Sequence, residues 1–172
     1  MRPNLRVRYI KVISRRGLMN LIGKKIPTFK LQDEDGRMID QSLFRGQWTV
    51  LYAYPKDSTP GCTQESCDFR DNWSRLKRMK VQVLGISRDS HASHQKFRDK
   101  FELPFLLLSD PEAKLLKPLG AFGKKMMYGK EVQGIIRSTF LVDPKGVIRF
   151  IWPKVSVKGH VDEVMEQLKS LM

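Results

Sequence analysis

Cysteine is nearly absent: Cys62 and Cys67 are the only two among 172 residues. Two thiols cannot build the disulfide framework of a small secreted domain, nor a tetrathiolate metal centre. Histidine is almost as scarce, at three. His91 and His94 stand three apart with no evident third ligand and are read as solvated surface, while His160 carries no signal beyond its type. No apolar run approaches the roughly 18 residues that a membrane span requires. No cofactor-binding motif is visible, so no metal, haem or flavin is expected.

Acid is missing from the first 18 residues, which hold Arg2, Arg6, Arg8, Lys11, Arg15 and Arg16 and supply much of the formal charge of +14. They contain no apolar core of a secretory signal. A nucleic-acid arm would fit the charge alone, and charge alone binds weakly and yields to salt. Residues 1–22 are therefore read as a basic, disordered extension, with Met19 a plausible alternative start, and residues 23–172 as one domain. At 41% hydrophobic, the chain is long enough to bury a core of its own.

What is present centres on residues 50–67. Val50 to Tyr54 is an apolar run that reads as a buried strand, and Pro55 ends it because proline cannot donate to the ladder. Thr59 is a favourable N-cap and Pro60 a favourable first helical residue, which puts Cys62 in the first turn. There a sulfur meets unpaired N–H groups and the positive end of the helix dipole, both favouring thiolate. A surface helix terminus supplies only about 0.3–1 kcal/mol. Bringing a thiol from about 8.5 to about 6 takes roughly 3.4 kcal/mol, so a cation from elsewhere in the chain is required. Spacing alone leaves another reading open. Cys62 shares a helical stripe with Ser66, Phe69, Trp73 and Leu76 and could be a small core residue.

Cys67 follows five residues later. In a regular helix their Cα atoms would stand roughly 8–9 Å apart, beyond the ~7 Å limit of a disulfide, so any bond between them requires unwinding. The helix is expected to run to about Met79, with Gln64 and Glu65 on its exposed surface. Around it, Thr28–Leu31 and Arg37–Ile39 form a hairpin about Asp33–Gly36. Val81–Ile86 completes a βαβ unit, Asp89 or Ser90 caps a helix to Phe101, and Leu103–Leu108 returns as a strand. Pro111–Leu119 reads as a helix, and the glycine-rich, basic stretch 120–134 as a loop. Ser138–Val142 and Val147–Trp152 pair about the turn Asp143–Gly146. Residues 161, 164, 165, 168, 171 and 172 line a closing amphipathic helix.

Pro55, Thr59 and Cys62 match the Pro-x-x-x-Thr-x-x-Cys signature of peroxiredoxins. The string from Tyr54 to Asp71 resembles the bacterioferritin-comigratory, or PrxQ, branch, in which a resolving cysteine sits five residues after the peroxidatic one. Met127–Lys130, Gly134–Asp143 and Trp152–His160 add to the likeness, which covers roughly residues 20–172. It implies an α/β thioredoxin-like fold: a central mixed sheet, helices on both faces and an N-terminal hairpin. It also implies a thiol peroxidase, with Cys62 peroxidatic, Cys67 resolving, Pro55 shielding the sulfur, and Thr59 and Arg137 donating hydrogen bonds along the O–O axis. By composition alone Arg137 would be a surface charge. The implied partners are a hydroperoxide and thioredoxin or a similar dithiol protein, and the implied unit is a monomer; composition adds no membrane or nucleic-acid partner, and the two cysteines suit a reducing cytoplasm. Ser58 and Ala53 depart from the branch where aspartate and phenylalanine are common. A general disulfide reductase would carry Cys-x-x-Cys rather than four intervening residues, and a basic thioredoxin-fold binding module would need neither thiol.

Overall fold

Alternation along Trp48–Ala53 (β3) decides how the sheet is covered. Val50, Tyr52 and the adjoining Tyr54 enter one apolar cluster, Leu51 and Ala53 the other. A strand buried on both faces reads as a continuous apolar run, as this one does. In this computed structural model, which describes residues 15–172, β3 lies inside a seven-stranded mixed sheet. Its parallel neighbour is Val81–Ser87 (β4), which pairs in turn with Leu106–Ser109 (β5). Lys30–Gln32 (β1) and Met38–Asp40 (β2) form the hairpin at that edge. On the other side Ser138–Val142 (β8) runs antiparallel to β3, and Ile148–Trp152 (β9) closes the sheet.

Arg15–Met19 (α1) is a single helical turn, and Leu21 packs on the core; residues 1–14 of the basic segment lie outside the described residues. The longer helices are Pro60–Asp71 (α2), Trp73–Arg78 (α3), His91–Phe101 (α4) and His160–Leu171 (α5). Their buried apolar residues, among them Phe69, Leu76, Phe97 and Leu168, belong to one cluster. The opposite face is covered by the 3-10 helix Gln41–Phe44, through Phe44, and by Leu115, Leu116, Leu119, Phe122 and Ile135.

Three expected elements differ. The helix after β3 does not run unbroken to Met79. Asn72 leaves helical geometry at φ −101° and ψ 7°, and its side-chain amide donates to the Asp68 carbonyl at 2.9 Å, replacing a backbone partner. Pro111–Leu119 is a run of turns rather than a helix. Ala113 takes a positive φ of 56°, and Pro118 has no N–H to give. The buried Asp110 carboxylate collects the N–H groups of Lys114, Leu115 and Leu116 at 2.7–2.9 Å. Residues 120–134 are no loop. Phe122–Met127 (β6) and Lys130–Ile135 (β7) make an antiparallel hairpin, turned by Tyr128 and Gly129 at φ 51° and 77°. Two positive φ values in a two-residue turn match the twist of the flanking strands.

Asp110→Ala would strand the buried amides of Leu115 and Leu116 and the part-buried amide of Lys114 at once, and charge-assisted bonds of this kind contribute about 1.5–3 kcal/mol each before relaxation. The variant is expected to lose about 3 kcal/mol in urea unfolding. A loss below about 1 kcal/mol would mean these turns are held by packing alone.

Candidate active site

The carboxyl end of β3 leads through Pro55 into a loop whose conformation is fixed from behind. Asp57, 7% exposed, accepts Tyr54 Oη–H at 2.7 Å and Ser93 Oγ–H at 2.9 Å, and its N–H reaches Asp89 Oδ2 at 2.9 Å. His94 completes the anchor. Its Nδ1 lies 2.8 Å from Asp57 Oδ2 and its Nε2 3.0 Å from the Leu108 carbonyl. Both ring nitrogens thus face acceptors, and the ring ties the loop to the sheet. The sequence placed His94 on a solvated surface; it is fully buried, because α4 turns this face toward Tyr54, while His91 is exposed. Asp57, Asp89 and His94 have ligand atoms close enough to hold a cation, but hydrogen bonds within the anchor occupy them.

At the start of α2, Thr59 is the N-cap by position, with φ −81° and ψ 154°, yet it gives no side-chain cap. Its hydroxyl instead donates to the Lys56 carbonyl at 2.8 Å. That hydrogen is therefore not free for substrate, and what remains is the oxygen's capacity to accept. Pro60 has no N–H, so the amides of Gly61 and Cys62 are the orphan donors of the first turn. Pro55 is half-buried.

Cys62 is fully buried, and Arg137 reaches it from the connection between β7 and β8, with Nη2 3.3 Å from Sγ. Gly61 leaves room for the approach: a Cβ there would stand 3.2 Å from Nη2. The other arm of the guanidinium, Nη1, donates to Glu65 Oε1 at 2.8 Å. As a charged residue on a helix, Glu65 is expected on the surface. It is 0% exposed, because i+3 from Cys62 lies on the same inward stripe. Burial outweighs the attraction of Arg137 and pushes its carboxyl up to about 7. Gln64 is exposed, as expected. Cys67 is half-buried, and burial pushes its thiol up. Both cysteines are free thiols on one unbroken helix.

Two further groups stand near this cation. Lys125, on β6, donates to the Ile135 carbonyl at 2.8 Å, and burial together with Arg137 lowers its pKa. His160, at the start of α5, shares a hydrogen bond of 2.8 Å with Thr139 Oγ1 and lies edge-on to Phe69 and Trp152. Burial, aided by Arg137, brings it down to about 4. Neither was legible in sequence, since each depends on a strand or helix contact distant along the chain.

Residues 22–151 match the AhpC/TSA family. The chain is 48% identical over 147 residues to a putative peroxiredoxin bcp of Coxiella burnetii, covering 86% of this chain and 97% of that protein. It is 45% identical over 150 residues to peroxiredoxin Bcp of Bacillus subtilis, covering 87% and 96%. Among solved structures, the bacterioferritin comigratory protein of Xanthomonas campestris, described for alkyl peroxide reduction, superposes with a TM-score of 0.78 at 41% identity, over 83% of this chain and 90% of that one.

Because His160 is held neutral in the fold, the unfolded chain takes up its proton near 6.5 and the folded chain only near 4. This group's stabilisation is therefore present above about 6.5 and lost as pH falls toward about 4. Thermal unfolding of wild type and His160→Gln across that window is expected to show a steeper acid loss in wild type. Parallel curves would mean that His160 does not titrate differently in the two states.

Proposed function

The chain belongs to the AhpC/TSA family as a thiol peroxidase of the Bcp/PrxQ peroxiredoxins, and we propose that Cys62 is its peroxidatic nucleophile and Cys67 its resolving thiol. The observation carrying this is the guanidinium contact to Cys62 Sγ at 3.3 Å. A fixed cation at that distance, added to the first-turn amides, gives negative charge on the sulfur two sources of stabilisation.

The substrates are hydrogen peroxide and organic hydroperoxides; the Xanthomonas relative's link to alkyl peroxide supports the second class. The Cys62 thiolate attacks the terminal oxygen, the S–O bond forms as the O–O bond breaks, and charge passes to the departing oxygen. Arg137 and the first-turn amides then stand where that charge develops. Thr59, whose hydrogen is spent on Lys56, accepts from the peroxide O–H and so orients it. Pro55, at the mouth, limits water around the sulfur.

The product is a sulfenic acid, which Cys67 condenses with, releasing water. Helical geometry keeps the two residues roughly 8–9 Å apart at Cα, so α2 must open first. The break at Asn72 confines that opening to Pro60–Asp71. A dithiol protein, thioredoxin by preference, then reduces the disulfide by exchange. Two free thiols and a transient disulfide suit the reducing cytoplasm, and a monomer is the working unit expected of this branch. Among the described residues, no helix is long and apolar enough to cross a membrane.

Peroxide consumption with thioredoxin, its reductase and NADPH tests the assignment. Cys62→Ser is expected to abolish turnover. Cys67→Ser should consume one equivalent of peroxide and then stop. Equal activity in wild type and Cys62→Ser would refute the role of Cys62, and equal inactivity with several donors and peroxides would leave a basic binding module as the better account.

A further inference from the structure

Arg137 is one cation facing two acids. Its Nη1 pairs with Glu65 Oε1 at 2.8 Å and its Nη2 with Cys62 Sγ at 3.3 Å. Both acids are fully buried, and the arginine side chain is 17% exposed. Glu65 Oε2 is buried with no hydrogen-bond partner among the described residues. A carboxylate oxygen left without a donor is costly, whereas a protonated carboxyl needs less from its surroundings. With both acids ionised the cluster would carry a net negative charge away from water; with one ionised it is neutral.

Resting on Cys62 as the peroxidatic thiol, we propose that Glu65 and Cys62 share a single acid proton across Arg137, so that forming the thiolate places a proton on Glu65 and consuming it releases that proton. Two acids that meet through one cation titrate as a pair rather than singly. The remaining charged and titratable neighbours do not supply a second counter-charge to Glu65. Asp68, on the same helix, raises it further. Tyr52, from β3, stays neutral because burial raises its phenol well above the usual range. Lys125, from β6, lies on the Arg137 and Cys62 side, and His160, from α5, is neutral down to about 4. Burial raising Glu65 to about 7 agrees with a carboxyl that holds its proton near neutrality.

The chemistry balances. Before reaction the cluster holds thiolate and neutral carboxyl. Sulfur gives its electron pair to the terminal oxygen, the O–O bond breaks, and the alkoxide or hydroxide leaves needing one proton. Sulfenic acid is uncharged, so Arg137 is left with Glu65 alone, and the carboxyl loses its proton as the leaving group gains one. The net change is thiol plus hydroperoxide to sulfenic acid plus alcohol or water, with Glu65 an intermediate store. Glu65 is thus a positioning and proton-holding residue, not one that touches substrate.

Glu65→Gln keeps an amide oxygen for Nη1 but cannot titrate. In a Cys67→Ser background, the rate constant for peroxide reaction would be followed against pH with and without this change. Glu65→Gln should shift the acid limb down by about one pH unit, a gain of about tenfold in rate on that limb, and should merge two coupled steps into one. Infrared difference spectra of Cys67→Ser itself on adding hydrogen peroxide should lose a protonated-carboxyl C=O band, and this band should be absent from Glu65→Gln. An unchanged midpoint with a uniformly slower rate, and no carboxyl band lost, would overturn the shared proton and leave Glu65 a strut for Arg137. A misfolded Gln variant leaves the infrared result on Cys67→Ser to decide. If Cys67→Ser does not react with peroxide at all, it is the assignment of Cys62 that fails.

Discussion

Everything at this site depends on a half-buried arginine that must reach a buried sulfur. A guanidinium cannot lose its charge, so the fold has to place it where an acceptor meets each arm and one negative charge balances it. Glu65 meets one at 2.8 Å and Cys62 the other at 3.3 Å. Removing either acid would leave one arm of the guanidinium without its hydrogen-bond acceptor. The requirement reaches into the sequence: Gly61 has to be small, Glu65 has to stand one helical turn from Cys62, and β8 has to begin immediately after Arg137.

The sheet provides the rigidity that this geometry needs. β3 sits between β4 and β8, so the end of the strand that enters the Cys62 loop and the strand that follows Arg137 are hydrogen-bonded neighbours, Ala53 opposite Ser138. Behind the loop, the buried Tyr54–Asp57–His94 network fixes the segment holding Pro55 and Thr59. Satisfied polar networks of this kind specify one conformation more strongly than apolar packing does. The helix itself is held less firmly at its ends, with no side-chain cap at Thr59 and a break at Asn72. Rigid support beneath a helix with weak ends suits a site that must first hold a thiolate and then open.

Local signals were legible in the sequence, and distant ones were not. The strand before Pro55, the helix start at Thr59–Pro60 and the turns at Asp33–Gly36 and Asp143–Gly146 follow from residue chemistry within a few positions, and they stand close to where that chemistry puts them. The 111–119 stretch carries helix-forming residues, but Asp110 takes the amides a helix would have used. The 120–134 hairpin was hidden because glycine and lysine mask its alternation, and because Tyr128 supplies a positive φ usually left to glycine or asparagine. Glu65, His94 and His160 were misread or left without a role for one reason. A charged or polar residue on a helix is exposed by default, and only the tertiary partner, Arg137, Asp57 or Thr139, explains its burial.

The account stands or falls on Arg137. Its most direct test is the single-turnover rate constant for peroxide reaction at Cys62 in Arg137→Gln and Arg137→Lys, each in a Cys67→Ser background and with thermal unfolding checked. Losing a donor aimed at developing charge typically costs about 10²–10³ in rate, and lysine keeps the charge without the two-armed fork. The expected result is a loss of that size for Gln and a smaller loss for Lys. Rate constants equal to the parent in folded Arg137→Gln would contradict the claim that this cation makes Cys62 a peroxide nucleophile.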